Sequence, residues 1–152
     1  TSSTGGTVGH PASALKSYVI TSPVYDAVDN TDLEQGDIVQ LIDLPADTMI
    51  IGGAIQVLEA SGNEQITFDV GVTSGALTAD ALVDGGDSDA TGFTGFSTTA
   101  LHSNAVTAAD TLDLLVIDGG SSKTTAWRFR AHAVLVDISK NPVESATVST
   151  GT

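Results

Sequence analysis

The chain has no cysteine and very few cationic side chains. Its 152 residues include five Lys and Arg against 19 Asp and Glu, which gives a formal net charge of −14. Without cysteine, neither disulfide bonds nor thiol chemistry can contribute to the fold or the function. Because nucleic acids and anionic membranes are bound mainly through cations, this charge balance argues against both as partners. No apolar run reaches the roughly 18 residues of a membrane-spanning helix.

Aromatic side chains are also scarce, at 5% of the chain, whereas hydrophobic residues make up 41%. A chain of this length is enough for one domain and buries roughly 70% of the surface that its unfolded form exposes. Residues 1–14 and 140–152 are rich in Ser, Thr and Gly and show no hydrophobic periodicity. We therefore expect one folded domain at residues 15–139, with a flexible arm at each end.

Short stretches of alternating or β-branched apolar residues dominate the central region. Besides a short segment after Pro23, they predict strands at residues 15–20, 37–44, 47–63, 65–72, 110–120 and 125–139. In the longest of these, the Gly52–Gly53 pair argues against a helix and favours a kink or bulge. The acidic segment 26–37 and the glycine-rich segment 84–105 are expected to be loops. Since helices do not alternate with strands, the sequence predicts an all-β antiparallel sandwich or jelly roll.

Two motifs suggest ligand binding but fit turns better. The segment DGGSSKTT, residues 118–125, resembles a phosphate-binding loop, yet Ile117 and Ser122 stand where that motif needs glycine. A strand also follows where the phosphate-binding helix would begin. The three aspartates of DGGDSDA, residues 84–90, lack the spacing of a calcium loop, and Asp and Gly are common in turns. We expect turns at both places and predict no metal and no cofactor.

Nothing in the sequence is typical of an active site. The histidines, His10, His102 and His132, are too far apart to form a metal motif, and no nucleophile motif is present. Carboxylates are so abundant that no pair stands out as a general acid and base. The sequence therefore predicts a protein that is not an enzyme.

The last predicted strand, TAWRFRAHAVLVDIS, contains both arginines of the chain. Its alternation assigns one set of residues to the core: Trp127, Phe129, Ala131, Ala133 and Leu135. The opposite set is Arg128, Arg130, His132, Val134 and Val136. One interpretation is a solvated face whose arginines pair with aspartates on neighbouring strands. The other, which we predict, is a subunit interface where the arginines meet carboxylates of an adjoining copy and the two valines become buried.

Three segments, at residues 36–75, 108–120 and 127–139, resemble small capsid proteins of tailed bacteriophages, especially marine and cyanobacterial ones. The shared features are a strand ending in Leu-Pro-Ala, then Thr-Phe-Asp-Val-Gly, Ala-Asp-Thr-Leu-Asp and a last strand ending in Val-Asp-Ile-Ser. The resemblance implies a head decoration, or cement, protein that is β-rich and commonly a homotrimer. Such a protein clamps the outer surface of the virion shell between major capsid protein subunits, and the resemblance brings no catalytic residues with it.

The main alternative is a carbohydrate- or cell-surface-binding β-sandwich, such as a phage fibre domain. Sugar rings commonly stack on exposed aromatic side chains. The alternation of residues 65–72 and 125–139 assigns Phe68, Trp127 and Phe129 to core faces. The aromatic residues that remain are Tyr18, Tyr25, Phe93 and Phe96. A hydrolase that uses unrecognised acids is a third alternative, for which the sequence places neither a base nor a nucleophile.

Overall fold

The computed structural model describes residues 17–27, 29, 33–61, 66–72, 78–101, 105–118 and 126–139. Within these residues the chain forms ten strands and one helical turn: β1 (Ser17–Thr21), β2 (Tyr25–Asp26), β3 (Ile38–Leu44), β4 (Thr48–Glu59), β5 (Thr67–Gly71), β6 (Val83–Asp87), β7 (Gly92–Gly95), α1 (Thr98–Leu101), β8 (Ala105–Val106), β9 (Asp110–Asp118) and β10 (Arg128–Asp137). Both predicted arms lie outside the described residues, as do His10, His102 and most of the segment 118–125.

The strands form two antiparallel sheets. Sheet A has the order β1-β10-β4-β7, with β2 pairing to β10 and β8 pairing to β4, and sheet B has the order β3-β9-β5-β6. The inner faces of the two sheets meet where the Phe68 ring on β5 lies against Trp127, which directly precedes β10, with ring centroids 5.8 Å apart. The prediction of an all-β antiparallel sandwich is confirmed; the jelly-roll connectivity stays a prediction.

The apolar core between the sheets is built from alternate residues of the central strands. On β9, Leu112, Leu114 and Val116 are buried. Every residue of the core set predicted for the last strand is fully buried, with 0% exposure for Trp127, directly before β10, and for Phe129, Ala131, Ala133 and Leu135 on β10. The alternation of the last strand is therefore confirmed, and it places the two arginines on the outer face of sheet A.

The predicted irregularity at the two glycines is a β-bulge in β4. Leu135 pairs with Ile50 and Val134 with Gly52, so that Ile51 is the extra residue. Gly53 has φ +149°, and a Cβ there would lie 2.3 Å from the His132 carbonyl oxygen and 2.4 Å from the Phe96 ring. Only glycine lets β4, β10 and the Phe96 ring approach so closely at this point.

The prediction of a loop at residues 84–105 is wrong. This segment contains nearly all of β6, then β7, the turn α1 and the start of β8, so it adds an edge strand to each sheet. Its glycines concealed the strands, because glycine is depleted in strands in general. At Gly86 the glycine has a structural reason, since a Cβ there would lie 2.5 Å from the Phe68 ring. The short strand predicted after Pro23 is β2, which pairs with β10 and includes Asp26, so among the described residues of the predicted loop at 26–37 only the first belongs to a strand.

Strand β5, whose alternation predicts one buried face, is covered on both. Asp69 is only 8% exposed, and its Oδ1 accepts a hydrogen bond from the Gly85 backbone N–H at 2.8 Å. On the same side, a Cβ at Gly71 would lie 2.0 Å from the Thr78 carbonyl oxygen. The turn at residues 78–80 therefore covers the outer side of this strand, which the sequence pattern alone does not reveal.

Candidate functional site

The five residues predicted as an interface lie along β10 on the outer face of sheet A. Strand β10 pairs with β1 on one side and with β4 on the other, and β7 lies beyond β4. Register places Val19 and Thr21 of β1 beside Val134 and His132. We use the term outer face of sheet A for these residues and their neighbours: Ser17, Val19, Thr21, Asp26, Met49, Ile51, Gly52, Ala54, Gln56, Glu59, Phe93, Gly95, Arg128, Arg130, His132, Val134 and Val136.

A hydrogen-bond network centred on Gln56 holds the middle of this face. The Gln56 Oε1 accepts hydrogen bonds from Arg130 Nε and from His132 Nε2, each at 2.8 Å. Because an amide oxygen only accepts, the His132 Nε2 must carry a hydrogen. The His132 Nδ1 lies 2.8 Å from the Thr21 hydroxyl oxygen, so in the neutral imidazole it accepts the Thr21 proton. Three strands are thus joined through one glutamine and one histidine.

The electrostatic environment of His132 favours its neutral form. Burial lowers the pKa of His132 from its ordinary value of 6.5, and the neighbouring Arg130 guanidinium lowers this pKa further. Protonation would not break the two hydrogen bonds, since Nδ1 could then donate to the Thr21 hydroxyl. Burial and the Arg130 charge therefore disfavour the protonated His132, whereas its two hydrogen bonds do not.

The two arginines have different partners. Arg128 Nε lies 3.1 Å from Asp26 Oδ2, and the two side chains are 44% and 23% exposed. This is a cross-strand ion pair within the chain, as the solvated interpretation expects, and such exposed pairs contribute about 0–1 kcal/mol. Arg130 bonds to Gln56 and forms no ion pair with a carboxylate among the described residues. The interface itself stays a prediction.

Large apolar side chains flank the network and are exposed. Val19 is 68% exposed, Phe93 is 69% exposed and Ile51 is 38% exposed. The Phe93 ring lies beside the His132 ring, with centroids 6.1 Å apart. Sequence reasoning missed Val19 and Gln56 as site residues and considered Phe93 only for sugar stacking. The alternation of the first strand could have placed Val19 outside, but Gln56 and Phe93 join the site only through strand register.

Of the four aromatic residues proposed for sugar stacking, Phe93 alone is exposed. Phe96 is buried at 6% exposure, and Tyr18 is only partly exposed and packs against the core. The Tyr25 ring stacks on Phe129 with centroids 5.3 Å apart. A single exposed ring is a weak basis for a sugar-binding platform.

The aspartates of the glycine-rich segment lie apart from this face. Asp84 and Asp87 belong to β6, and the Asp87 Oδ1 accepts the Asp89 backbone N–H at 2.8 Å, which is a local turn contact. Among the residues that the structure describes, no group of three or more His, Asp or Glu could hold a metal ion. No helix in the described ranges is long and apolar enough to cross a membrane.

The sequence matches no protein-family model and no curated protein. The fold, however, is similar to that of chains in three solved phage capsids. A chain in the capsid of Ralstonia phage GP4 has a TM-score of 0.59 and 16% identity, covering 84% of this chain and 86% of that one. A chain in the cyanophage Pam1 capsid asymmetric unit has a TM-score of 0.56 and 12% identity, covering 80% and 85%.

The third similar structure is the acidic stable capsid of Helicobacter pylori bacteriophage KHP30. Its matching chain has a TM-score of 0.51 and 9% identity, covering 81% of this chain and 93% of that chain. In all three cases the likeness extends over most of both chains, so it concerns the whole sandwich and not a shared hairpin. At identities this low, the three structures establish that the chain has a fold that also occurs in phage capsids.

Proposed function

We propose that this chain is a structural virion protein that decorates the outside of a phage capsid and bridges its major capsid subunits. The observation that carries the proposal is the fold shared with chains of three phage capsids over at least 80% of this chain. Two independent features point to the same class of protein. One is the resemblance of three sequence segments to phage capsid proteins, and the other is the similarity of the fold. A major capsid protein is then the principal partner, and the outer surface of the virion is the location.

We include a homotrimer in the proposal. A decoration protein that holds a shell through a weak contact gains from presenting several copies, since linked sites bind with far greater avidity than one. The outer face of sheet A supports protein contacts of this kind, because it combines exposed apolar side chains with an arginine. The binding chemistry suits a protein surface better than a sugar, for which Phe93 alone offers an exposed ring.

Co-sedimentation with assembled shells tests the proposal. Shells would be assembled from the major capsid protein of the same genome, incubated with the purified full chain and pelleted. We expect the chain to pellet in a saturable ratio to the capsid subunits, and to stay in the supernatant when shells are omitted. Digestion of intact decorated shells with a protease should release the chain first if it lies outside. A chain that never pellets with these shells would overturn the proposal.

A further inference from the structure

The middle of the outer face of sheet A, from Arg130 to Val136 on β10 with the residues paired to them, has the composition of a protein interface. Between Arg130 and Val136 on β10, and at the facing positions of β1, β4 and β7, no described residue is Asp or Glu. The chain as a whole contains 19 of them. Interface cores are depleted in acids and enriched in aromatic residues, Met and Arg, and this face contains Phe93, Met49 and Arg130. Its composition therefore differs from the rest of the molecule in the direction that favours burial against a partner.

Arg130 is held in place but not neutralised. Its Nε donates to Gln56, which leaves the two Nη nitrogens for other acceptors. In the described part of the chain no carboxylate pairs with it. A guanidinium already fixed through one nitrogen loses less conformational freedom when it binds a partner. The hydrogen bond from Gln56 therefore positions the Arg130 guanidinium so that it can bind a carboxylate from outside this face.

The chain itself provides abundant carboxylates of the required kind. Among the described residues, exposed acids are found outside this face at Glu34, Asp37, Asp43, Asp47 and Asp84, among others. By contrast, residues 1–16 contain no Asp or Glu and residues 140–152 contain one, Glu144, so the carboxylates are concentrated between these two segments. The surface of a second copy outside this face therefore carries exposed carboxylates that can pair with Arg130.

The same charges decide how two copies can meet. A two-fold dimer would place this face against itself, where no residue described in the rows from Arg130 to Val136 carries a carboxylate. The acids of this face, Asp26 and Glu59, lie beside Arg128 at one end, and Asp26 is already paired with Arg128. A head-to-tail contact instead brings the outer face of sheet A against a different, acidic surface of the next copy. Contacts of that kind use two different patches on each copy and close into a ring when the rotation allows.

We propose that the outer face of sheet A binds an acidic surface of a second copy in a head-to-tail contact, with Arg130 holding a carboxylate of that copy and Gln56 positioning Arg130. Val19, Phe93 and Val134 supply the apolar area around this pair. The proposal rests on the homo-oligomer part of the proposed function and gives it a surface and a geometry. It does not depend on what the oligomer binds.

Sedimentation equilibrium of the purified full chain tests this contact. We expect the wild-type chain to form a closed oligomer of three or more copies. Arg130→Ala should raise the dissociation constant about 30-fold or more, because truncating one member of a buried charge pair strands the other. That difference should persist from about 0.05 M to about 0.5 M NaCl, since a buried pair is screened much less than an exposed one. Gln56→Ala, which keeps the arginine but frees it, should cause a smaller loss.

A second variant tests the surface without removing any native contact. A Cβ at Gly95 meets no heavy atom within 4 Å, so this position has room for a side chain to begin, and Gly95→Trp would place an indole over this face. We expect Gly95→Trp to prevent association while its unfolding temperature stays close to that of the wild type. The matched control is Ile117→Ser, an exposed position on sheet B. It should associate nearly as the wild type does.

Several results would overturn the contact. The first two are a wild-type chain that is monomeric and one that forms a two-fold dimer. The third is that the two single variants, Arg130→Ala and Gly95→Trp, both associate as strongly as the wild type. The fourth is that the larger dissociation constant of Arg130→Ala returns to the wild-type value in high salt. The virion role is measured separately by co-sedimentation. A monomer that pellets with shells would remove this inference and leave that role standing, whereas an oligomer that never pellets would do the opposite.

Discussion

At the scale of single residues, His132 is the group whose charge the structure controls. Its pKa lies below the ordinary 6.5 because of burial and because of the Arg130 guanidinium. In the unfolded chain the same side chain titrates near its ordinary value, so the unfolded state binds more protons as the pH falls below about 6.5. The neutral state therefore contributes stability that is complete above that pH and is lost as the pH falls through the folded pKa.

We predict that acidification from pH 7 to pH 5 lowers the unfolding temperature of the wild type more than that of His132→Gln. The measurement is thermal unfolding by circular dichroism at several pH values, with the difference between the two proteins as the readout. Using the difference removes the contribution of carboxylates, which both proteins share. Parallel pH profiles would show that His132 has the same pKa in the folded and unfolded chain.

A second prediction at this scale concerns the glycine under the Phe96 ring. Gly53→Ala places a methyl group 2.3 Å from the His132 carbonyl oxygen at a φ that favours glycine, so strands and ring must move apart. We expect a loss of about 1–3 kcal/mol or more in the free energy of unfolding. Gly95→Ala in the neighbouring strand meets nothing within 4 Å and should change this free energy by less than about 0.5 kcal/mol. Denaturant titration measures both, and equal effects would contradict this packing.

At the scale of strands, the link between β1 and β2 depends on one buried serine. The Ser22 backbone N–H donates to the Ala131 carbonyl at 2.8 Å, and the Ser22 hydroxyl oxygen accepts the Ala131 N–H at 2.8 Å. Pro23, which has no N–H, follows directly. The Ser22 side chain thus provides the acceptor for the Ala131 N–H of β10, at the place where the backbone after β1 no longer pairs with β10.

Ser22→Ala should leave the Ala131 N–H buried without a partner and lower the free energy of unfolding by about 1–3 kcal/mol. Ser17→Ala, at an exposed position of the same strand, is the matched control and should have little effect. Amide hydrogen exchange gives an independent readout, since the Ala131 N–H should lose protection in the first variant only. Unchanged protection would mean that another group replaces the hydroxyl.

Strands differ in how well the sequence predicts them, and the reason is physical. In β9 and β10 one face is fully buried and the other is not, so the alternation of apolar residues alone gives both the strand and the inward face. In β6 and β7, which are edge strands with glycines, close approach to Phe68 and to β4 decides the structure, and the sequence of the segment itself does not show this approach.

The outer face of β10 was predictable in the same way as its core face. Gln56 and Phe93 were not, because only register brings them beside Arg130 and His132.

At the scale of the whole molecule, the charge of −14 sets the response to salt. Like charges spread over one small domain repel each other in the folded state, and salt screens this repulsion. We predict that the unfolding temperature rises between about 0.02 M and about 0.5 M NaCl. The double variant Asp43→Asn, Asp84→Asn, which removes two exposed charges, should show a smaller rise. An unfolding temperature that falls with salt in calorimetry would mean that ion pairs outweigh the repulsion.

We propose that this sandwich acts on the outside of a phage shell. A fold shared with chains of three phage capsids supports this proposal, and the proposed contact through the outer face of sheet A leaves other surfaces for the shell. The most direct measurement is cryo-electron microscopy of shells assembled from the major capsid protein of the same genome and incubated with the full chain. We expect density for the two-sheet sandwich on the outer surface, where neighbouring capsid subunits meet, with copies grouped in head-to-tail rings. Bare outer surfaces at saturating protein, or sandwich density only inside the shell, would contradict it.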